Sequence, residues 1–300
     1  QPDAAGDRLL RANILLCLIA LLLAGCQTAG SGSAPRGLDV PSLAYAEARD
    51  LDTFALYLRG WRARMRTEQG RYEEAEADAA EVLRREGASI VVRLPSLAAL
   101  ATLRTRRGEA GAEALLDEAL ELALSTGELQ RIAPVACARA EAAWLRGDPD
   151  GVRIEAMHAY PLALKAESPW DVGRLAVWLR RAGAPEDDAQ GLPDGGTDLP
   201  APFADELAGR WREAAEAWER LGCPYERALA LAAGDEAEQR ESLEILDWLG
   251  ADPAAALVRR RLHAPRLHVR PPHPHDGWHQ RLPCEHEEKP RPLARHVDNR

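Results

Sequence analysis

The side chains in this sequence with the means to do chemistry are scattered serines, one histidine in the body of the chain, and a histidine cluster near its C-terminal end. A nucleophilic serine needs a base beside it and, in one large hydrolase class, a GxSxG elbow that exposes its hydroxyl. Ser42, Ser89, Ser96, Ser125 and Ser168 stand in no such motif. His158 lies in a helical stretch beside Met157 and Tyr160, where a lone histidine is more often packed or solvent-facing than a general base. No nucleophile, base and orienting group can be assembled from these, so the chain reads as a non-enzyme. His273, His275, His279, Cys284 and His286 are metal-ligand types, but their spacing fits no four-ligand pattern and the intervening prolines stiffen the wrong geometry. No metal and no cofactor is expected. GxxxxGK[ST] is absent, and no lysine stands near a glycine-rich loop to cradle phosphates.

One residue does carry a specific chemical expectation. Arg8-Leu-Leu-Arg11 precedes an uninterrupted apolar run from Ile14 to Leu23, and Leu22-Leu-Ala-Gly-Cys26 closes it. Positive charge, a short apolar core and small residues are the grammar of a secretory signal, and the run is shorter than the ~20 residues of a spanning helix. The closing pentad looks like the lipobox of bacterial lipoproteins, which implies cleavage before Cys26 and a lipid on its sulfur. Residues 1–26 are thus expected to be a signal peptide with lipobox and 27–42 a flexible linker. That gives a membrane-anchored lipoprotein, with a cytoplasmic location as the alternative. The other cysteines, Cys17, Cys137, Cys223 and Cys284, form no CxxC pair, and a buried free thiol in an Ala-rich helix packs as a small hydrophobe.

Charge narrows the partners. The chain carries a net −10. Residues 1–42 are neutral and 263–300 carry +2, which leaves −12 on 43–262. DNA affinity rests on clustered Lys and Arg, so no nucleic acid is expected to bind this chain alone.

The elements that must position any site are helices. The chain is 46% hydrophobic and 29% charged, rich in the helix formers Ala, Leu, Arg and Glu, with no β-branched run longer than Ile90-Val-Val92. Gly70, Gly108 and Gly147 recur at spacings of 38 and 39, and Ala63, Ala101 and Ala140 lie seven residues before each. Each glycine follows one apolar-periodic segment and precedes another, a repeated helix–turn–helix. In the first unit Leu51, Phe54, Leu58, Trp61 and Met65 form one stripe, and Tyr72, Ala75, Ala79, Val82 and Leu83 the next. Helices are expected near 94–107, 111–125, 131–146 and 149–166, with a kink or break at Pro161. Asp148-Pro149, Ser168-Pro169 and Asp252-Pro253 each place a capping side chain before proline at a helix start. The acids Glu73, Glu74, Glu76 and Asp78 read as a solvated helix face. The expected fold is all-α: a TPR-like α-solenoid of antiparallel helix pairs over 43–182, a loop over 183–201, a C-terminal helical block over 202–262 (203–208, 210–221, 224–233, 236–249, 253–262) and a disordered tail over 263–300.

The stretch from Leu43 to Leu262 resembles the helical-repeat region of LuxR-family, ATPase-containing bacterial transcriptional regulators. The resemblance is carried by residues 44–52, 58–64, 126–131 and 140–145, most specifically by Ala-Trp-Glu-Arg-Leu-Gly-Cys-Pro-Tyr-Glu (217–226), and by 246–251 and 255–262. It implies a sensor or interaction array lying between a nucleotide-binding module and a helix-turn-helix, neither of which is read here. After Leu262 the text changes abruptly: seven of the chain's eight histidines fall in 263–300, as a frameshift in GC-rich DNA would produce. Stacked helix pairs leave a face for a protein or peptide ligand. Trp61, Arg64, Trp144 and Trp178 are the candidate partner-binding residues, since Trp and Arg favour hot spots, with inter-helix core as the competing role for at least two of the tryptophans. An alternative is a lipid-anchored TPR-type lipoprotein acting in envelope protein assembly.

Overall fold

The computed structural model describes residues 41–183 and 199–263. The signal segment with Cys26, the linker up to residue 40, most of the 183–201 loop and the tail from 264 lie outside the described residues. The described chain is all-α, with no strand among those residues. Its helices are α1 (Pro41–Glu47), α2 (Asp52–Glu68), α3 (Tyr72–Leu83), α4 (Ile90–Arg107), α5 (Ala112–Thr126), α6 (Leu129–Arg146), α7 (Pro149–Met157), α8 (Tyr160–Lys165) and α9 (Pro169–Arg181). After residue 199 follow α10 (Ala201–Leu207), α11 (Trp211–Leu221), α12 (Pro224–Leu231), α13 (Glu236–Leu249) and α14 (Asp252–His263). None is long and apolar enough to cross a membrane.

The repeated glycines end helices as their spacing predicts. Gly70, Gly108 and Gly147 have φ of 74°, 70° and 74°, a left-handed conformation that costs glycine nothing. After each, the next residue's amide reaches back five residues: Arg71 to Arg66, Glu109 to Arg104 and Asp148 to Ala143. The free carbonyls at three helix ends are satisfied in the same way. Ala63, Ala101 and Ala140 are all completely buried, because a methyl group is the most that fits where successive helices touch.

Several helix starts differ from the sequence reading in mechanism. Asp148 caps α7 by accepting from the Gly151 amide at 2.9 Å. Ser168 does not cap; its hydroxyl donates to the Asp171 carboxylate at 2.7 Å. Asp235 and Glu238 form a reciprocal capping box at α13, a D-x-x-E signal that sequence reading passed over. The 149–166 segment does break, at His158–Ala159, with Pro161 accommodated in the first turn of α8. Pro95 and Pro134 lie well inside α4 and α6, since both helices begin earlier than expected.

Two expectations about faces are corrected. The Leu51–Met65 stripe is only in part the buried side of α2: Leu58 is buried, but Leu51 is 44% exposed, Phe54, Trp61 and Met65 are half-buried, and the other buried positions are Ala55, Gly60, Ala63 and Thr67. Because α2 packs against α1, α3, α4 and α12, its small side is pressed hardest. A Cβ on Gly60 would lie 2.9 Å from Ser96 Oγ and 3.3 Å from the Val92 carbonyl of α4. Asp78 is not solvated either. Arg62 donates to it twice and Arg66 once, all at 2.7 Å, and these bonds draw it to 5% exposure.

The helices after residue 199 reach back onto earlier ones. α12 touches α2, and α14 touches α4 and α6. Pro224 and Leu249 crowd Gly70, and Pro253 crowds Gly108. Leu246, Ala254 and Val258 are buried, and Trp248 is left 72% exposed.

Candidate functional site

The four predicted partner residues fall into two separate pairs. Trp61 and Arg64 share a groove with Tyr57 on α2, bordered by Val91, Pro95, Gln130, Arg131 and Pro134 of α4 and α6. Tyr57 and Trp61 meet edge to face at 6.2 Å, and the Arg64 guanidinium lies 5.4 Å from the Trp61 ring. Pro95 and Pro134 occupy equivalent positions, 13 residues before Gly108 and Gly147. A proline donates no amide and cannot bond the carbonyl four residues back, so it leaves that carbonyl beside the groove uncovered by the helix's own pattern. Trp144 and Trp178 instead contact each other at 6.0 Å. Trp178 is 6% exposed, which places it in the inter-helix core.

Beside this groove, Arg64 also lines a cavity of about 70 Å³ where α2, α4 and α6 face α9 to α12. Its charged lining is four arginines (Arg64, Arg106, Arg174, Arg181) and four glutamates (Glu68, Glu141, Glu206, Glu226). Arg106, 4% exposed, sits at the centre. It grips Glu141 through Nε and Nη2 at 2.8 and 3.2 Å and reaches Glu226 at 3.0 Å. Its face lies 3.7 Å from the Tyr225 ring centroid. Burial opposes its charge, but Glu141 and Glu226 outweigh burial and hold it well above the ordinary guanidinium range. Glu226 is less well served: burial pushes its carboxyl upward, with Arg106 only partly offsetting. Arg174 donates to Glu68 at 3.2 Å, while Arg64 stays 3.8 Å from the same carboxylate. Burial disfavours the Glu68 charge, yet Arg174 and Arg64 together bring its carboxyl below the usual range. Two cations thus share one acid, and burial pulls Arg64 below its ordinary value.

Nucleophiles in this region are quiet. Burial pushes the Cys137 thiol up to about 12, against the pull of Arg174, so it is a thiol at neutral pH and not a nucleophilic thiolate. Tyr72 is likewise raised to about 12 by burial. Ser96 is fully buried, and Ser125 donates to the Leu122 carbonyl. His158 stands 3.8 Å from Glu155, whose carboxylate is already held by Arg139 at 2.7 and 2.8 Å. No group of three potential metal ligands occurs among the described residues.

The raised thiol makes a pH prediction. A protonated Cys137 favours the folded chain, so its contribution is full below about pH 9 and drains as pH rises toward 12. Urea midpoints are expected to fall steeply above pH 9, and Cys137→Ala to flatten that fall between pH 9 and 10, before the tyrosines titrate. Equal slopes in the two proteins would show that the thiol is not held protonated.

Of the sequence candidates, the structure brings Trp61 and Arg64 into one groove; Arg106, Glu141, Glu226 and Arg174 were not singled out from the sequence. A partial signal existed. Arg106 and Glu141 fall among small apolar residues on helix faces that also carry Ala99, Ala138 and Ala142. Comparison with protein-family models, with curated proteins and with solved structures finds no match to this chain.

Proposed function

We propose that this protein is a non-enzymatic interaction or sensor scaffold, an α-solenoid of TPR-like antiparallel helix pairs resembling the repeat region of LuxR-family regulators, which holds a protein or peptide ligand. The observation that supports it best is the groove formed by Tyr57, Trp61, Arg64, Pro95 and Pro134. Such a groove offers aromatic and apolar anchoring beside one under-paired cation, the composition in which a few residues dominate binding. The ligand that fits carries an apolar anchor next to a carboxylate. The acidic surface of residues 43–262 disfavours nucleic acid as the partner.

Selection of displayed peptides against the full chain is expected to return binders of this type. Trp61→Ala is expected to weaken them at least tenfold and Arg64→Gln by a smaller factor that shrinks in high salt. Peptides that bind both variants as tightly as the parent would remove the groove from the reading.

The pentad ending at Cys26 favours a second, compatible reading of location, a lipoprotein anchored by acyl chains on that sulfur and acting in envelope protein assembly. Palmitate labelling that disappears in Cys26→Ala, with the chain pelleting with membranes, is the expected result. An unlabelled chain recovered in the cytosol leaves the cytoplasmic sensor.

A further inference from the structure

A second cleft, of about 230 Å³, opens where α6 and α9 meet α10, α11 and α14. Its charged lining is unequal: Arg180, Arg181 and Arg261 against Glu206 alone. That one carboxylate is fully engaged, by Arg181 at 2.6 Å on Oε2 and by the Trp218 indole at 2.8 Å on Oε1. Arg261 meets only the Ala232 carbonyl, at 3.2 Å. Arg180 makes no hydrogen bond or ion pair among the described residues. Arg180 and Arg261 both stand in the last turn of a helix, where the dipole favours a cation. That effect accounts for each charge separately and not for three guanidinia facing one space. Partial burial, and after it the neighbouring Arg181, lower the Arg261 guanidinium from its ordinary value. The half-buried rings of Trp144 and Trp211 supply the rest of the character of the walls.

Guanidinium groups recognise phosphate oxygens in paired hydrogen bonds, and indole faces take flat rings. At about 30 Å³ per water molecule the volume matches about eight waters, room for a planar ring and a phosphate with a sugar at the open mouth. We propose that this cleft binds a small phosphate monoester bearing a planar ring, of the size of a nucleoside monophosphate. Arg180 and Arg261 take the phosphate and the tryptophans take the ring. This goes beyond the peptide-holding role, which uses the separate groove around Trp61.

Calorimetric titration of the full chain with AMP and GMP tests it, with adenosine, ribose 5-phosphate and inorganic phosphate as partial ligands. The expected result is that at least one nucleotide binds tenfold or more tightly than any of the three partial ligands, and more weakly as salt is raised. Arg180→Gln and Arg261→Gln, both at exposed positions, are each expected to lower nucleotide affinity by about tenfold while leaving the Tm of the unliganded chain and peptide binding at the Trp61 groove unchanged. Trp211→Ala should bring AMP down to the affinity of ribose 5-phosphate. The proposal is overturned if no nucleotide binds, if adenosine, ribose 5-phosphate or inorganic phosphate matches AMP, or if the double arginine variant binds AMP like the parent. Loss of peptide binding by Trp61→Ala with no nucleotide binding would overturn this inference alone.

Discussion

Arg106→Met is expected to lower the unfolding free energy by about 3–5 kcal/mol, the range seen when one partner of a buried ion pair is removed. The cost comes less from lost attraction than from what stays behind. Glu141 is 4% exposed and is held by two hydrogen bonds from Arg106, so methionine leaves a buried carboxylate without that counter-charge. Glu226, already pushed toward its neutral form by burial, loses the cation that opposes that push. The sign on pH follows. With that cation gone, burial acts on Glu226 with less opposition, so the variant's stability should rise as pH is lowered from 7 toward 5, and by more than the parent's. Adding Glu141→Leu and Glu226→Gln to Arg106→Met should return most of the loss, because an apolar replacement of a whole buried network is often neutral. Urea denaturation of the single and triple variants at pH 7 and pH 5 measures this. A single variant within about 1 kcal/mol of the parent would show that water reaches Glu141 freely.

Trp218→Ala is the second large effect, expected at about 3–5 kcal/mol for a buried aromatic. Trp218 is 3% exposed and meets Phe203 edge to face at 5.1 Å, and Phe203 in turn meets Trp170 at 5.5 Å. This aromatic chain joins α9 to the block after residue 199. Phe203 is pressed against Gly173, where a Cβ would come within 2.6 Å of the ring. Loss of the indole also strips Glu206 Oε1 of its donor, so Trp218→Phe, which keeps most of the ring volume, should recover part of the stability and not all. Thermal unfolding followed by near-ultraviolet circular dichroism distinguishes the three proteins. Full recovery by phenylalanine would assign the effect to packing alone.

Helix content and much of its punctuation were legible in the sequence because they depend on near neighbours. The glycine–alanine spacing marked real helix ends, the five helices after residue 199 fall within two residues of their expected bounds, and the break near Pro161 is present. What was not legible depends on residues far apart in the chain. Asp78 reads as solvated until Arg62 and Arg66 are placed on the neighbouring helix. The stripe on α2 reads as one-sided until α12 arrives on another side. Arg106 looks like any helix-end cation because its partners Glu141 and Glu226 lie 35 and 120 residues away. Of the candidate residues, Trp61 and Arg64 share a groove, whereas Trp178 packs inside. Periodicity cannot separate these outcomes, since both the groove and the core ask for an aromatic on the inward side of a helix.

In an array whose units touch only their sequence neighbours, either end can fray or be trimmed while the remainder stays folded. Pro224, Leu249 and Pro253 seated against Gly70 and Gly108 tie the C-terminal helices to the ends of α2 and α4. The free energy of those helices is then shared with elements more than a hundred residues distant, so they are expected to melt together with the C-terminal block, as thermal unfolding in a single transition would show. Removal of α13 and α14 would uncover apolar surface on the first helices as well as the last, and such a shortened chain would be recovered as aggregate.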